Sequence, residues 1–527
     1  MDRIHNLISD DKIRLYILLA LLCSITCGFF INLNGYLLFD VDEGAFSAAS
    51  REMLLHRDFV SITLNGEPRY DKPVLIYWLQ AASAYVFGNE AGAYRLPSVL
   101  ASLVWVYLIY WFTRKQFDHD TGLIAALFMS STIQIALMGK AATADATLNL
   151  FIAGSMFNLF LYLKNASQSN LYWAVGFVAL GTLTKGPIAI AIPAIVGLLY
   201  TLTTPGLWRR TLRIVYQHLA WMIFLVIVLP WPVILILREG GDFFREFLLV
   251  HNVGRFSKPM EGHAGSYAYY FIALLAGFVP YSFLLLYSLS RFKSLWNQDL
   301  QRYLLIWFGF IFVFFTFSAT KLPHYLIYGS SGLFILMALQ ARELEQKVWL
   351  FIPQLLFCII FLALPAVLEF YQQQTDDEQA ILLLTALPQA FTQGYYVILV
   401  LTVIISLVFI LERKFPWFLK LALSGIMLNL FIALFLLPAI GVFQQQPVRE
   451  AGLMARTLSS PLVNWRINMP SFNIYAERPS LTRAPQAGDI VFTKSKFIHS
   501  LPEHRVLYQK RGITLLGIEP FTVGDHD

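Results

Sequence analysis

The sequence predicts an all-α polytopic membrane domain followed by a small α/β domain outside the bilayer. Three observations predict it. Of 527 residues, 57% are hydrophobic and only 14% charged, where a soluble domain carries charge on about a quarter of its residues. Apolar runs long enough to cross a bilayer, roughly 20 residues each, recur down the chain. From Phe443 onward the character changes: charge rises, and apolar residues come in short alternating runs.

Taken in order, spans are expected near 14–33, 95–112, 121–139, 143–163, 170–183, 186–202, 217–237, 267–289, 302–318, 322–340, 348–367, 392–411 and 418–441, about thirteen in all. The first has no small-residue cleavage site behind it and is too long for a signal peptide, so it is read as retained. The short pair 170–183 and 186–202 is separated only by Lys185-Gly186-Pro187. Keeping the two apart puts Arg114 and Lys115, Lys164, Arg209, Arg210 and Arg213, Arg291, Lys293 and Arg302, Arg342 and Lys347, and Arg413 and Lys414 on one side, together with Arg3, Lys12 and Arg14. That side is the cytoplasm by the positive-inside rule. The N-terminus is therefore expected inside and the C-terminus outside.

This divides the chain into a membrane domain, 1–441, with a long first outer loop at 34–94, and an extracytoplasmic tail, 442–527. The loop reads DEGAFSAASREMLLHRDFVSITLNGEPRYDKPVLIYW from Asp42 to Trp78. Ala45–Leu55 has the spacing of a short helix with Asp42 as its N-cap, and Pro73 suits the first turn of a second helix. In the tail, Val448–Leu458 is expected as a helix. Phe472–Tyr475, Asp489–Phe492, Arg505–Tyr508 and Ile513–Ile518 are expected as strands. Cys23, Cys27 and Cys358 all lie inside spans, which leaves the outer parts no disulfide framework or cysteine metal site. With no Walker motif, dinucleotide loop or internal repeat, ATP is not expected as an energy source, and no nucleic-acid partner is expected.

Six charged clusters converge on the outer face: Asp42-Glu43; Arg69-Tyr70-Asp71-Lys72; Lys140 with Asp145; Lys185; His251 with Arg255 and Lys258; and Lys321 with His324 and Tyr325. Ionisable groups at the hydrocarbon edge are costly and mark functional sites, although a single lysine there also snorkels to headgroups. Several cations around one pocket suit a phosphate, most simply a lipid headgroup. One carboxylate of the Asp42-Glu43 pair suits a general base toward a hydroxyl. His251, with Asp71 or Glu43, is a candidate partial site for a divalent metal ion. Tyr70, Tyr77 and Trp78 offer rings to stack on a sugar, the alternative being an interfacial aromatic belt.

The runs DEGAFSAASREML, NGEPRYDKPVLIYWLQAASAYVFG and YRLPSVLASL, then TADATLNLF, LTKGPIAI, HNVGRF and TKLPHYLIY, resemble the bacterial relatives of protein O-mannosyltransferases, the group that includes the lipid A aminoarabinose transferases. The resemblance covers about Asp42 to Tyr328. It implies a type C glycosyltransferase fold and inverting transfer from a polyprenyl-phosphate-linked sugar donor on the outer side of the membrane. It implies Asp42 as the catalytic carboxylate and Asp145 as a second acidic position, with Glu43 a candidate beside Asp42. Lys72, Arg255, Lys185 and Lys321 take the cationic positions near the donor phosphate, and Asp71 and His251 the place of a metal pair. Tyr70, Tyr77, His324 and Tyr325 are the candidates for sugar or acceptor binding. Where the aminoarabinose enzymes carry Arg-Tyr after the acidic pair, this chain has Ala45 and Phe46, so the same donor and acceptor do not follow. The expected function is glycosyl transfer to a membrane lipid such as lipid A, to another glycan or to a protein. The alternative is a secondary transporter or flippase of lipid-linked sugars, which would place its charges nearer the midplane and often show repeated halves.

Overall fold

The computed structural model describes residues 11–254 and 265–520. Each expected span falls on a helix or a broken helix. Among the described residues, seven helices are long and apolar enough to cross a membrane, or ten when three sharply bent pairs are each taken as one span. The longest apolar helices are Ala91–Gln116, Val348–Gln374 and Trp417–Gln444, and Asp145–Asn165 is the most enclosed. The first of these begins four residues before the expected span, which puts Arg95 a full turn inside the helix.

The breaks are satisfied internally, as an apolar surrounding demands. His119–Ser131 and Ile133–Lys140 meet at 69°, and Tyr269–Gly277 and Ser282–Ser290 at 118°. The freed Ile133 N–H donates to Val279 O at 3.2 Å, joining one break to the other. Gln134 Nε2 adds a bond to Pro323 O at 2.7 Å.

The first loop is a compact unit. Its helix runs Asp42–His56 and ends at Arg57 in the left-handed region, φ 54°. Val41 is the N-cap and there is no side-chain cap, so Asp42 is the first helical residue and not the cap expected from the sequence. Behind the helix, β1 (Thr63–Leu64) and β2 (Glu67–Pro68) pair antiparallel across Asn65-Gly66. Both turn residues have positive φ, 59° and 75°, which is why Asn-Gly suits this tight hairpin. Glu52 reaches over from the loop helix to accept from Thr63 Oγ1, Asn65 N and Gly66 N at 2.9, 2.7 and 3.3 Å. A second helix, Leu75–Phe87, follows Pro73. Phe46, Met53, Ile62 and Tyr77 form one apolar core with Trp231 and Phe243, so the loop is packed onto the membrane helices.

In the tail, the helix Gln446–Arg456 leads into a four-stranded sheet of order β3-β4-β6-β5. The strands are β3 (Leu462–Trp465), β4 (Ile490–Lys494), β5 (His504–Lys510) and β6 (Ile513–Ile518). β3 pairs parallel with β4, and the other pairings are antiparallel. β3 is absent from the sequence-based expectation. The segment expected as a strand at 472–475 is instead the helix Ser471–Ala476. A four-residue apolar run does not distinguish the two states by itself. Pro470 sits at its N-cap, and Phe472 stacks flat on Phe492 of β4, with centroids 4.0 Å apart.

Candidate active site

Asp42 and Glu43 start the same helix but face different surroundings. Asp42 is exposed and Glu43 is buried. Glu43 Oε1 and Oε2 accept from Arg95 Nε and Nη2 at 2.9 and 2.7 Å. Its two oxygens also take Ala142 N at 2.8 Å and Phe39 N at 3.0 Å. Burial pushes this carboxyl up, but Arg95 and the two N–H groups outweigh it and hold the carboxyl below its ordinary value. Arg95 itself is fully buried. It donates to the carbonyls of Leu33, Tyr36 and Leu37 at 2.6–3.0 Å and lies 3.6 Å over the Tyr36 ring. Glu43 is thus committed to an ion pair that pins the loop to the helix Ala91–Gln116. Sequence reasoning missed Arg95. Its signal was an arginine inside an apolar run.

Asp145 opens the helix Asp145–Asn165 and is buried. Its Oδ1 accepts from Lys185 Nζ at 2.6 Å and from Tyr328 Oη at 2.7 Å. Lys185 also donates to Tyr328 Oη at 2.8 Å. His324 Nε2 lies 3.8 Å from the same carboxylate oxygen, and Lys185 stands 5.9 Å from the Tyr325 ring. The structure therefore brings together Asp145, Lys185, His324 and Tyr325 and adds Tyr328. The expected grouping of Asp145 with Lys140 does not form. Lys140 turns toward Ile31 O at 3.5 Å.

Lys72 is buried and donates to Asp71 Oδ1 at 2.6 Å and Asp71 O at 2.9 Å. Asp71 Oδ2 takes Arg69 Nη2 at 2.9 Å, and Arg69 Nε reaches Tyr77 Oη at 3.1 Å. Burial lowers the Arg69 pKa, but Tyr77, Asp71 and Asp42 together raise it above its ordinary value. The Arg69 guanidinium also lies over the Phe46 ring at 5.7 Å, one helical turn beyond Asp42.

The remaining candidates are placed otherwise. Tyr77 is a core residue with no exposed surface. Tyr70 sends its hydroxyl to Glu239 at 3.2 Å and its ring edge to Phe243. Lys321 is buried, and its ammonium caps the carbonyl end of the helix Asp299–Phe317 through Thr316 O and Ser318 O at 2.7 and 3.1 Å. The His251 side chain and all of Arg255 and Lys258 lie outside the described residues. A divalent metal fits Asp71 poorly as it stands, because each of its oxygens already pairs with a cation. Among the described residues no three His, Cys, Asp or Glu side chains gather as metal ligands.

A broken-helix membrane bundle with an acid-bearing loop helix packed onto it is a fold this chain shares with a solved structure. The fold matches the crystal structure of ArnT from Cupriavidus metallidurans bound to undecaprenyl phosphate, with TM-score 0.77 and 21% identity over 96% of this chain and 98% of that one.

The sequence has likenesses of its own. Residues 71–234 match the family described as dolichyl-phosphate-mannose-protein mannosyltransferase. The undecaprenyl phosphate-α-4-amino-4-deoxy-L-arabinose arabinosyl transferase 2 of Proteus mirabilis is 31% identical over 340 residues, 63% of this chain and 60% of that protein. The corresponding transferase of Serratia proteamaculans is 28% identical over 338 residues, 62% and 59% of the two chains. The chain is thus similar to these transferases over about three-fifths of their length.

Proposed function

We propose that this protein is an integral glycosyltransferase of the bacterial inner membrane, crossing it about thirteen times, with its active site on the periplasmic face. It moves a sugar from a polyprenyl-phosphate donor, of the undecaprenyl type named in its relatives, to a hydroxyl of an envelope glycolipid of the lipid A kind. The observation that carries this is the placing of Asp42. It is the exposed acid of the loop helix, with buried Glu43 tied to Arg95 beside it and the Arg69 guanidinium over the Phe46 ring one turn further along the helix.

The acceptor O–H gives its proton to Asp42, a positioned general base. The oxygen attacks the anomeric carbon from the face opposite the phosphate. The C1–O bond breaks with its electron pair going to the phosphate, and the configuration inverts. Negative charge grows on the departing phosphate, and fixed cations act most strongly there. Lys185 has three donors and uses two on Asp145 and Tyr328, leaving one for a phosphate oxygen. Lys72 and Arg69 supply the second cation group. Asp145 and Tyr328 hold Lys185 in place, and Glu43 holds the loop. Ala45 and Phe46 are both buried. Phe46 lies beneath the Arg69 guanidinium at 5.7 Å, so this part of the loop is packed into the core, where the resemblance gives the aminoarabinose enzymes Arg-Tyr.

The test is purified protein in liposomes with a labelled undecaprenyl-phosphate sugar and a lipid A acceptor. Release of undecaprenyl phosphate with labelled acceptor is expected, and is lost in Asp42→Asn with protein yield unchanged. Movement of intact lipid-linked sugar across the bilayer, without release, refutes the proposal in favour of a carrier.

A further inference from the structure

Asp40, two residues before Asp42, is held by the tail. Ser471 donates to it twice, from its backbone N to Oδ1 at 2.9 Å and from Oγ to Oδ2 at 2.5 Å. Gln445, oriented as its neighbours require, donates to Oδ2 and accepts from Asp40 N, both at 3.0 Å. The helix Ser471–Ala476 carries the same contact further. Tyr475 Oη accepts from Leu38 N at 3.1 Å, and Ile474 O accepts from Asn89 Nδ2 at 3.2 Å. Asn473 donates to the Asn65 side chain in the hairpin turn at 2.7 Å. Gly44 makes the approach possible. A Cβ there would lie 2.0 Å from Asp40 Oδ1 and 2.8 Å from Ser471 N.

Asp42 therefore stands exposed between two fixed carboxylates, Asp40 gripped by the tail and Glu43 gripped by Arg95. Two residues of chain reach at most about 7 Å, so a shift of Asp40 passes to Asp42 almost undamped. A general base needs its geometry held within about 0.5 Å, and a misplacement of about 1 Å can cost a hundredfold in rate. Resting on Asp42 as the base, we propose that the tail helix Ser471–Ala476 clamps Asp40 to set the position of the Asp42 carboxylate, making Ser471 a positioning residue for the transfer reaction. The tail thus takes part in catalysis through the loop and is more than an outer cover.

The clamp has a pH signature. Burial pushes the Asp40 carboxyl up to about 7, against the bonds from Ser471 that lower it, with Glu43 adding to the rise. The titratable groups around it are Glu43 with its partner Arg95, and the neutral Tyr475 phenol. Protonation of Asp40 turns one acceptor oxygen into a donor and loosens the grip of Ser471, so turnover falls below about pH 7.

The experiment is steady-state transfer by full-length protein in liposomes across a pH series. Ser471→Ala is expected to lower kcat at least about tenfold with donor KM within about twofold, and Ser471→Thr, which keeps the hydroxyl, to recover most of it. Gly44→Ala is expected to reproduce the loss. Arg51→Ala cuts the same interface at its rim, where Arg51 donates to Glu477 O, and is expected to change kcat by less than about twofold. Should Ser471→Ala fail to fold, Asp40→Asn serves instead: kcat falls and the acid limb near pH 7 flattens. A wild-type kcat in Ser471→Ala overturns the inference, as does an equal loss in Arg51→Ala or an unchanged acid limb in Asp40→Asn. If Asp42→Asn turns over normally, the base assignment fails first; if it is dead while Ser471→Ala is normal, only the clamp fails.

Discussion

Arg95→Leu tests the anchor of the whole loop. The change removes five hydrogen bonds, two to Glu43 and three to the carbonyls of Leu33, Tyr36 and Leu37. It leaves a buried carboxylate with only the N–H groups of Ala142 and Phe39. Breaking one side of a buried pair costs about 3–5 kcal/mol, because the stranded charge stays desolvated. Glu43→Leu should cost a similar amount, since it strands Arg95. The double variant carries no stranded charge and should cost less than the two singles summed, by about 0.5–3 kcal/mol. The assay is unfolding in mixed detergent–SDS micelles followed by tryptophan fluorescence, with the four proteins compared at one pH. Because the folded carboxyl sits below its ordinary value, its stabilisation is fully present above that ordinary value. It is lost as pH falls through the folded one. Wild-type stability should therefore decline at acid pH, and the decline should be smaller in Glu43→Leu. Single variants each costing under about 1 kcal/mol, with additive effects, would refute the ion pair as the anchor.

Other outcomes follow from the same contacts. Asp145→Asn should abolish transfer and destabilise the bundle, because Lys185 loses its buried counter-ion; a folded, active variant in the liposome assay excludes the Asp145–Lys185 pair from the site. Lys72→Gln should weaken donor use about ten- to a hundredfold, the cost of one charge-assisted phosphate contact. Lys164→Gln, whose ammonium is exposed and bonds only Gln116 Oε1 among the described residues, should be silent in parallel donor titrations. Gly66→Val should destabilise the hairpin, since φ of 75° is strained for a β-branched residue, seen as faster protease cleavage in the loop. Cysteines at Glu67 and Lys496, both exposed, should react alike with an impermeant thiol reagent in spheroplasts; labelling of only one contradicts a common outer face for loop and tail.

Hydropathy located the helical segments, because a bilayer imposes one length scale on every span and that scale is local in sequence. The loop helix and the tail helix Gln446–Arg456 were legible for the same reason, each carrying its own periodicity. The motif around Asp42 and the acid at Asp145 were legible as chemistry, since carboxylates at a membrane edge are costly. The Asn65-Gly66 hairpin is absent from the sequence-based expectation, and its flanking strands, two residues each, are too short for an alternation pattern.

Local sequence therefore carries the helical membrane character, the polar loop that breaks it and the kinds of ionisable group at its edge. Tertiary structure alone decided which charges meet. Asp145 lies five positions from Lys140 but pairs with Lys185, 40 residues away. Glu43 takes Arg95 across 52 residues, and Asp40 takes Ser471 across 431. Lys321, read as a phosphate ligand, also bonds the carbonyls at a helix end. Local patterns follow from steric and hydropathic rules that act within a few turns of chain. Ion pairs and hydrogen bonds depend on distances of about 3 Å between atoms, and only the packing of the helices fixes which side chains come that close.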